Sequence, residues 1–129
     1  LLAGKFASAA DVPKERARSR HFPKESPMAR HSESGCVAET FAAIGEVRAI
    51  SESLGQPMAS VSLAWLLKKK AVCSVLAGAR NPQQMAENAA AAELDLPDDI
   101  VGRLDAATEA VKRCLGANPD LWQTESRYR

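Results

Sequence analysis

One short segment limits what this chain can fold into. Residues 71–78, AVCSVLAG, are apolar and rich in β-branched side chains, and they end in a glycine. This pattern is typical of a buried strand, and it is the only convincing strand in the sequence. A lone strand cannot satisfy its backbone hydrogen-bonding groups inside a core. We therefore expect this strand to pair with strands that the chain does not contain.

Apolar periodicity predicts helices on both sides of this segment. Side chains recur at three or four residues over 37–54 and 59–70 before it, and over 82–92 and 98–111 after it. Trp65 lies in an apolar helix run and is expected in the core. The order of elements is loop, helix, helix, strand, helix, helix, tail, which indicates the end of an α/β protein whose beginning is missing. The chain also opens on LLAGKF, without an initiator methionine, as if cut from something longer.

Local signals place the helix ends. Gly55 ends the first helix, and Asn81 is expected to cap the third. Gln84 occupies the capping-box position three residues after Asn81. In the third helix, the residues expected on the buried side are Met85, Ala89 and Ala92.

The two ends of the chain lack such periodicity. Residues 1–36 mix prolines, serines and dense charge, which predicts a long loop. Residues 113–129 are predicted to form a tail over the surface. The domain organisation expected is thus a loop over 1–36, helices with one strand over 37–112, and a tail over 113–129.

Composition excludes several classes of function. The 129 residues carry 17 Lys and Arg against 16 Asp and Glu, so no global field attracts nucleic acid or an anionic membrane. The basic stretch 14–24 contains Glu15 and a single aromatic residue, and we interpret it as a solvated or cofactor-covering loop. The longest apolar run is far shorter than the roughly 20 residues of a membrane span. A soluble protein of one domain is expected.

Residues with reactive side chains give no catalytic or metal-binding pattern. Cys36, Cys73 and Cys114 are odd in number and widely spaced, so we expect neither disulfides nor zinc, and a reducing cytoplasm fits best. Cys73 should be inert because of burial in the strand. We expect His21 and His31 to be solvated surface residues.

Polar residues cluster where the predicted strand meets the third helix. Gly78 ends the strand and the helix starts near Pro82, so backbone N–H groups and the positive end of the helix dipole should face an anion there. Arg80 adds a planar guanidinium suited to phosphate oxygens. Gln84 and Asn88 share a helix face, with Glu87 beside them, and could bind the edge of a nucleotide base. The alternative is an ordinary structural connection in which Arg80 is simply solvated.

A longer stretch carries a family resemblance. The sequence SLAWLLKKKAVCSVLAGARNPQQMAENAAAAELDLPDDIVGRLD, residues 62–105, resembles the C-terminal part of the aldo-keto reductases, in the branch related to potassium-channel β subunits and bacterial members. LLAGKF resembles the loop after that family's seventh barrel strand. The tail GANPDLWQTESRYR resembles that of some bacterial members.

The resemblance implies a fold, a cofactor and a set of cofactor-binding residues. The fold would be the C-terminal part of a TIM (β/α)8 barrel, with 72–76 as the eighth strand and 82–92 as the final barrel helix. NADPH would reduce aldehydes and ketones by hydride transfer. The residues that match cofactor-binding positions are Gly78, Arg80, Gln84, Glu87, Asn88 and Lys5, with Arg18 or Arg16 against the adenine.

The same resemblance limits what this chain does alone. The family's catalytic aspartate, tyrosine, lysine and histidine precede the first residue, so no catalytic residue is assigned and the chain by itself is expected to be inactive. The sole tyrosine, Tyr128, lies in the tail. Roughly 250 residues make a complete barrel, so this chain is about half of one. The function predicted is the NADPH-binding part of a reductase acting on a small carbonyl substrate. A non-catalytic cofactor-sensing subunit and a truncated helical interaction module remain as alternatives.

Overall fold

The computed structural model describes residues 1–118, and the regular structure in this range is helical. Four α-helices follow one another along the chain: α1 (Val37–Ser53), α2 (Met58–Leu67), α3 (Pro82–Ala90) and α4 (Asp98–Leu115). Short 3-10 turns lie at Ala9–Asp11, Lys14–Arg16 and Ala91–Glu93. All four predicted helices are therefore confirmed, with ends that differ from the predicted ones by a few residues. Of the predicted tail over 113–129, residues 113–115 belong to α4, whereas the predictions for Tyr128 and the other residues of 119–129 fall outside the described residues.

The predicted strand does not form in the described part of the chain. Residues 74–79 have no regular structure, and Leu76 is 99% exposed. Cys73, predicted to be buried, is exposed as well. Both predictions are wrong for this chain. The reason is that a strand needs a neighbouring strand to receive its backbone hydrogen bonds. Without that neighbour, the apolar segment has nothing to pack against.

The chain divides into two compact units. The first comprises Leu1–Lys5 and Ile44–Ala107. Its buried apolar residues come from most of α1, from α2, from the Ala91–Glu93 turn and from the stretch that begins at Leu96: Ile44, Val47, Ile50, Met58, Val61, Ala64, Trp65, Ala91, Leu96, Ile100 and Leu104. Helix α2 lies against the Ala91–Glu93 turn and against α3.

Helix α2 is joined to α4 by polar contacts at its C-terminal end. Trp65 is only 6% exposed, which confirms the core prediction, and its indole N–H donates to Asp105 Oδ1 at 2.9 Å. Lys69 forms an ion pair with the same carboxylate and lies 5.2 Å from the centre of the Trp65 ring. Lys68 pairs with Asp95. The lysines that follow α2 therefore bind particular carboxylates, besides opposing the helix dipole.

The second unit comprises Phe6–Ala43 and the described residues from Thr108 onward. The N-terminal loop has a small apolar core of Val12, Ala17 and Phe22, with Phe6, Val37 and Phe41 packed against it. Arg20 is 6% exposed, and its guanidinium donates to the carbonyl of Leu115 at the end of α4 and to that of Asn118 at 3.0 Å. The stretch 14–24, interpreted as a solvated or cofactor-covering loop, is therefore not solvated at Arg20, because the carbonyls at a helix end need donors.

Helix α3 differs from the other helices in having no buried residue. Met85 is 57% exposed, and Ala89 and Ala92 are exposed too, so the predicted buried side is wrong. An apolar stripe is buried only where a neighbouring surface covers it, and residues 74–79 form no sheet that could do so. Within residues 1–118, no helix is long and apolar enough to cross a membrane.

Candidate functional site

The 78–88 junction is a loop closed by side chains of α3. Asn88 Nδ2 donates to the carbonyl oxygen of Gly78 at 3.2 Å, ten residues back along the chain. Gln84 Oε1 accepts the backbone N–H of Arg80 at 2.9 Å. The structure thus brings together Gly78, Arg80, Gln84 and Asn88, four of the predicted cofactor-binding residues.

The amide groups at the start of α3 are largely engaged within the junction. Asn81 Oδ1 accepts the N–H of Gln84 at 2.9 Å, which confirms the predicted cap. Gln84 does not complete a capping box, because its side chain bonds the N–H of Arg80 and not that of Asn81. Pro82 has no N–H at all. The predicted row of amides therefore offers an anion fewer donors than the sequence suggested.

Arg80 is the cationic group of the junction. Its side chain is exposed, and within residues 1–118 its guanidinium has no hydrogen bond or ion pair, since only its backbone N–H is engaged. A guanidinium presents five N–H donors in a fixed plane, which matches the oxygens of a phosphate. The Arg80 side chain is thus the main group at the junction that remains available to bind an anion.

Glu87 is separated from this group by its own contact. Its Oε1 accepts from Gln83 Nε2 at 2.9 Å, four residues earlier on α3. Gln83 and Glu87 form one stripe of the helix, whereas Gln84 and Asn88 form the next, from which they bond back to the loop. Because the Glu87 carboxylate is held on the neighbouring stripe, it does not neutralise the positive charge of the Arg80 guanidinium.

Lys5 belongs to a segment that two helices hold in place. Arg48 Nη2 of α1 donates to the carbonyl of Gly4 at 3.1 Å, and Ser62 Oγ of α2 donates to the carbonyl of Leu2 at 3.0 Å. The side chain of Lys5 is exposed and lies in the same compact unit as the 78–88 junction. Sequence reasoning missed Arg48 and Ser62. The available signal was one basic side chain among the acidic ones of α1, and a hydroxyl within the apolar run of α2.

The remaining candidates lie in the N-terminal loop of the second unit. Arg18 is exposed, and its Nε donates to the carbonyl of Glu15. Arg16 is exposed as well. The choice between these two arginines as adenine contacts stays a prediction.

Both histidines differ from the expectation of full solvation. His21 is half-buried beside the Ser19 hydroxyl, at 3.1 Å, and burial lowers its pKa. His31 Nδ1 accepts the N–H of Glu33 at 3.3 Å, and its Nε2 is buried. They are structural parts of the loop. In the described range, His, Cys, Asp and Glu side chains form no group of three that could hold a metal ion.

The chain matches a model of a known protein family. The sequence matches the family model described as Aldo/keto reductase family over residues 1–109. This range contains the Leu1–Lys5 segment, the N-terminal loop and the whole 78–88 junction, and it covers well over half of the chain.

Proposed function

Since the chain belongs to the aldo/keto reductase family, we propose that it binds the adenosine end of NADPH through the 78–88 junction. The observation that supports this is the exposed guanidinium of Arg80, which stands on a loop closed by Gln84 and Asn88. Family membership supports an aldo/keto reductase type of function for the protein. The cofactor and the residues that hold it are our proposal.

Arg80 would hold the phosphate on the 2′-oxygen of the ribose. Charge-assisted hydrogen bonds between a guanidinium and phosphate oxygens are shorter and stronger than neutral ones. The guanidinium has no competing carboxylate in the described residues, because Glu87 is bonded to Gln83. NADH lacks this phosphate, so Arg80 would also select the phosphorylated cofactor.

Gln84 and Asn88 would hold the base. Their contacts to the loop use one end of each amide, the oxygen of Gln84 and the nitrogen of Asn88. The other ends, Gln84 Nε2 and Asn88 Oδ1, have no hydrogen bond among the described residues. One is a donor and the other an acceptor, and adenine presents both an acceptor nitrogen and an amino donor at its edge.

Glu87 and Lys5 would have separate roles. A carboxylate repels phosphate, so we assign Glu87 to hydrogen-bond donors of the base or ribose. Lys5 would contact the phosphates between the two nucleotides of the cofactor. Its segment is already positioned by Arg48 and Ser62, so binding need not order the backbone around it.

The chemistry of the bound cofactor would be hydride transfer to a carbonyl carbon. The contribution of the described residues is binding and orientation, since fixing the far end of the cofactor restricts where its reactive ring can lie. Reduction of an aldehyde or ketone by the complete protein is part of this proposal.

Titration with matched ligands tests the role of Arg80. A charge-assisted hydrogen bond contributes roughly 1.5–3 kcal/mol, so Arg80→Ala should weaken NADPH binding by about ten- to a hundredfold and leave NADH binding nearly unchanged. Adenosine 2′,5′-bisphosphate should lose affinity in the same way, whereas adenosine 5′-monophosphate should not. Isothermal titration calorimetry on the full chain gives all four dissociation constants.

Arg103→Ala is the matched control, because Arg103 is an exposed arginine of the same compact unit. It removes the same charge without touching the junction, and it should leave all four constants unchanged. Equal losses for NADPH and NADH in Arg80→Ala would contradict the assignment. So would a loss of NADPH affinity in Arg103→Ala as large as that in Arg80→Ala.

A further inference from the structure

Two cysteines that lie 78 positions apart in the sequence meet in the second unit. Cys36 precedes α1, where its carbonyl accepts the N–H of Thr40 at 2.9 Å, and Cys114 lies in the last turn of α4. The Cys114 Sγ lies 3.9 Å from the carbonyl oxygen of Gly35, the residue before Cys36, and it is close enough to Cys36 to raise the pKa of that thiol. The sequence spacing gave no sign of this proximity, and no disulfide was expected.

Neighbouring contacts hold the two thiols in place. The Cys114 thiol donates to the carbonyl of Gly35, at 3.9 Å, which is the peptide group directly before Cys36. The Cys36 thiol donates to the carbonyl of Arg20 at 3.7 Å and accepts from the Thr40 hydroxyl at 3.8 Å. The two thiols are therefore held in a defined local arrangement.

The two cysteines differ in accessibility. Cys36 is 2% exposed, whereas Cys114 is exposed. Burial raises the pKa of Cys36 to about 11; the Thr40 hydroxyl lowers it, and the nearby Cys114 thiol raises it. Cys36 is thus a protonated thiol at neutral pH, and Cys114 is the one that a reagent in solution reaches first.

A small cavity adjoins Cys114. It has a volume of about 40 Å³ and is lined by Arg20, Glu33, Ser34, Gly35, Cys114 and Leu115. This volume accommodates a molecule of the size of water or hydrogen peroxide. Arg20 Nε is buried and has no hydrogen-bond acceptor in the described part of the chain. Arg20, whose guanidinium also pairs with Glu33 Oε1 at 3.5 Å, and Cys114 thus line the same cavity.

We propose that Cys36 and Cys114 are an oxidation site that hydrogen peroxide converts to a reversible intramolecular disulfide. The Cys114 sulfur attacks one peroxide oxygen, the O–O bond breaks, and a sulfenic acid and water form. The Cys36 sulfur then attacks the sulfenic sulfur, the S–O bond breaks, and a second water leaves as the S–S bond forms. Two thiols are oxidised by two electrons, and one peroxide is reduced to two waters that carry both thiol protons.

Peptide mapping of the oxidised chain tests this site. The reduced full chain is treated with a small excess of hydrogen peroxide, alkylated, and digested without reductant. We expect one cross-linked peptide pair joining Cys36 to Cys114, lighter by two hydrogens than the separate peptides, and loss of two of the three titratable thiols. Dithiothreitol should restore both thiols. The yield should not depend on protein concentration, because the bond forms within one chain.

Cys73 provides a matched control, since it is exposed and lies in the other compact unit. Cys73→Ser should give the same cross-linked pair in the same yield. In Cys36→Ser, hydrogen peroxide should oxidise Cys114 to sulfinic acid, because no second thiol is present to form the disulfide. A predominant disulfide through Cys73, a predominant disulfide between two chains, or sulfinic acid at Cys114 in the unsubstituted chain would each overturn the proposal. The mapping of the unsubstituted chain decides the question even if Cys36→Ser does not fold.

Discussion

The surroundings of Gly35 leave no room for a side chain at this position. Its φ of +81° lies in the left-handed region, and a Cβ atom built on it would meet the backbone carbonyl carbon of Phe22 at 2.5 Å. The nearest neighbours are backbone atoms, which cannot move aside as a side-chain end can. The loop and the start of α1 can therefore approach this closely only if residue 35 has no side chain.

Replacing this glycine should cost much more stability than replacing a glycine with a similar backbone angle. Gly55 has a φ of +62°, but a Cβ atom added there would have no neighbour within 4 Å. Gly55→Ala should lower the free energy of unfolding by about 1–2 kcal/mol, the cost of the left-handed conformation alone. Gly35→Ala adds an overpacking cost of about 1–3 kcal/mol, for a total of about 2–5 kcal/mol.

Urea unfolding followed by circular dichroism measures both values. Losses of equal size in the two variants would show that the contact with Phe22 is relieved by a small backbone shift.

The residues of the candidate site were predictable from local patterns, but their partners were not. A polar residue before Pro82 and an arginine after a glycine are visible in the sequence, so the cap at Asn81 and the cation at Arg80 could be anticipated. That Gln84 would bond Arg80 and not Asn81 depends on the path of the loop. The contact of Cys36 with Cys114 depends on the packing of distant segments, which no spacing rule contains.

At the scale of elements, α3 is stabilised differently from the other helices. It buries no side chain, so its order depends on its capping contacts and on its closeness to α2 and the Ala91–Glu93 turn. A helix of 9 residues is marginal by itself in water. Its local stability should consequently respond to changes in a single cap.

Asn81→Ala should open α3 without unfolding the rest of the chain. Loss of an asparagine cap costs about 1 kcal/mol, which corresponds to a roughly fivefold increase in the open population. Hydrogen exchange of the α3 amides should accelerate by this factor, and exchange within α1 should not change.

Asn81→Asp retains the accepting oxygen and serves as the matched control, with α3 exchange close to that of the unsubstituted chain. Equal acceleration in α1 and α3 would mean that α3 has no local opening of its own and unfolds only with the whole chain.

The positions of the helices were easier to predict than the surfaces against which they pack. The four helices could be located because periodicity, Gly55 and Asn81 are local signals. The buried side of α3 could not, because burial requires a second surface. Residues 74–79 show the same limit: β-branched composition favours a strand, but a strand also needs a partner.

At the scale of the whole molecule, apolar composition does not determine burial. Leu76 is 99% exposed, although it lies in the apolar stretch 71–78. Leu96 is 1% exposed, although it lies in the short alternating stretch 93–97. The difference arises from the packing of the first unit, which encloses Leu96 and leaves the segment around Leu76 outside.

The same substitution at these two leucines should therefore have very different consequences for stability. Leu96→Ala should lower the free energy of unfolding by about 2–5 kcal/mol, as expected for a buried leucine. Leu76→Ala should change it by no more than about 0.5 kcal/mol, as for an exposed side chain.

Chemical denaturation of the full chain measures both changes under the same conditions. A loss at Leu76 comparable with that at Leu96 would mean that the 74–79 segment is covered in solution by another surface.

The bond from Asn88 to Gly78 also determines the entropy of binding at the junction. It closes a backbone ring that is already ordered before any ligand binds. A nucleotide that binds there therefore loses freedom of motion itself, but the protein loses little conformational freedom. A chain without this bond would have to order the same residues at the moment of binding. Asn88 would then contribute to affinity through the conformations that it removes from the unliganded protein, in addition to the atoms that it presents to the ligand.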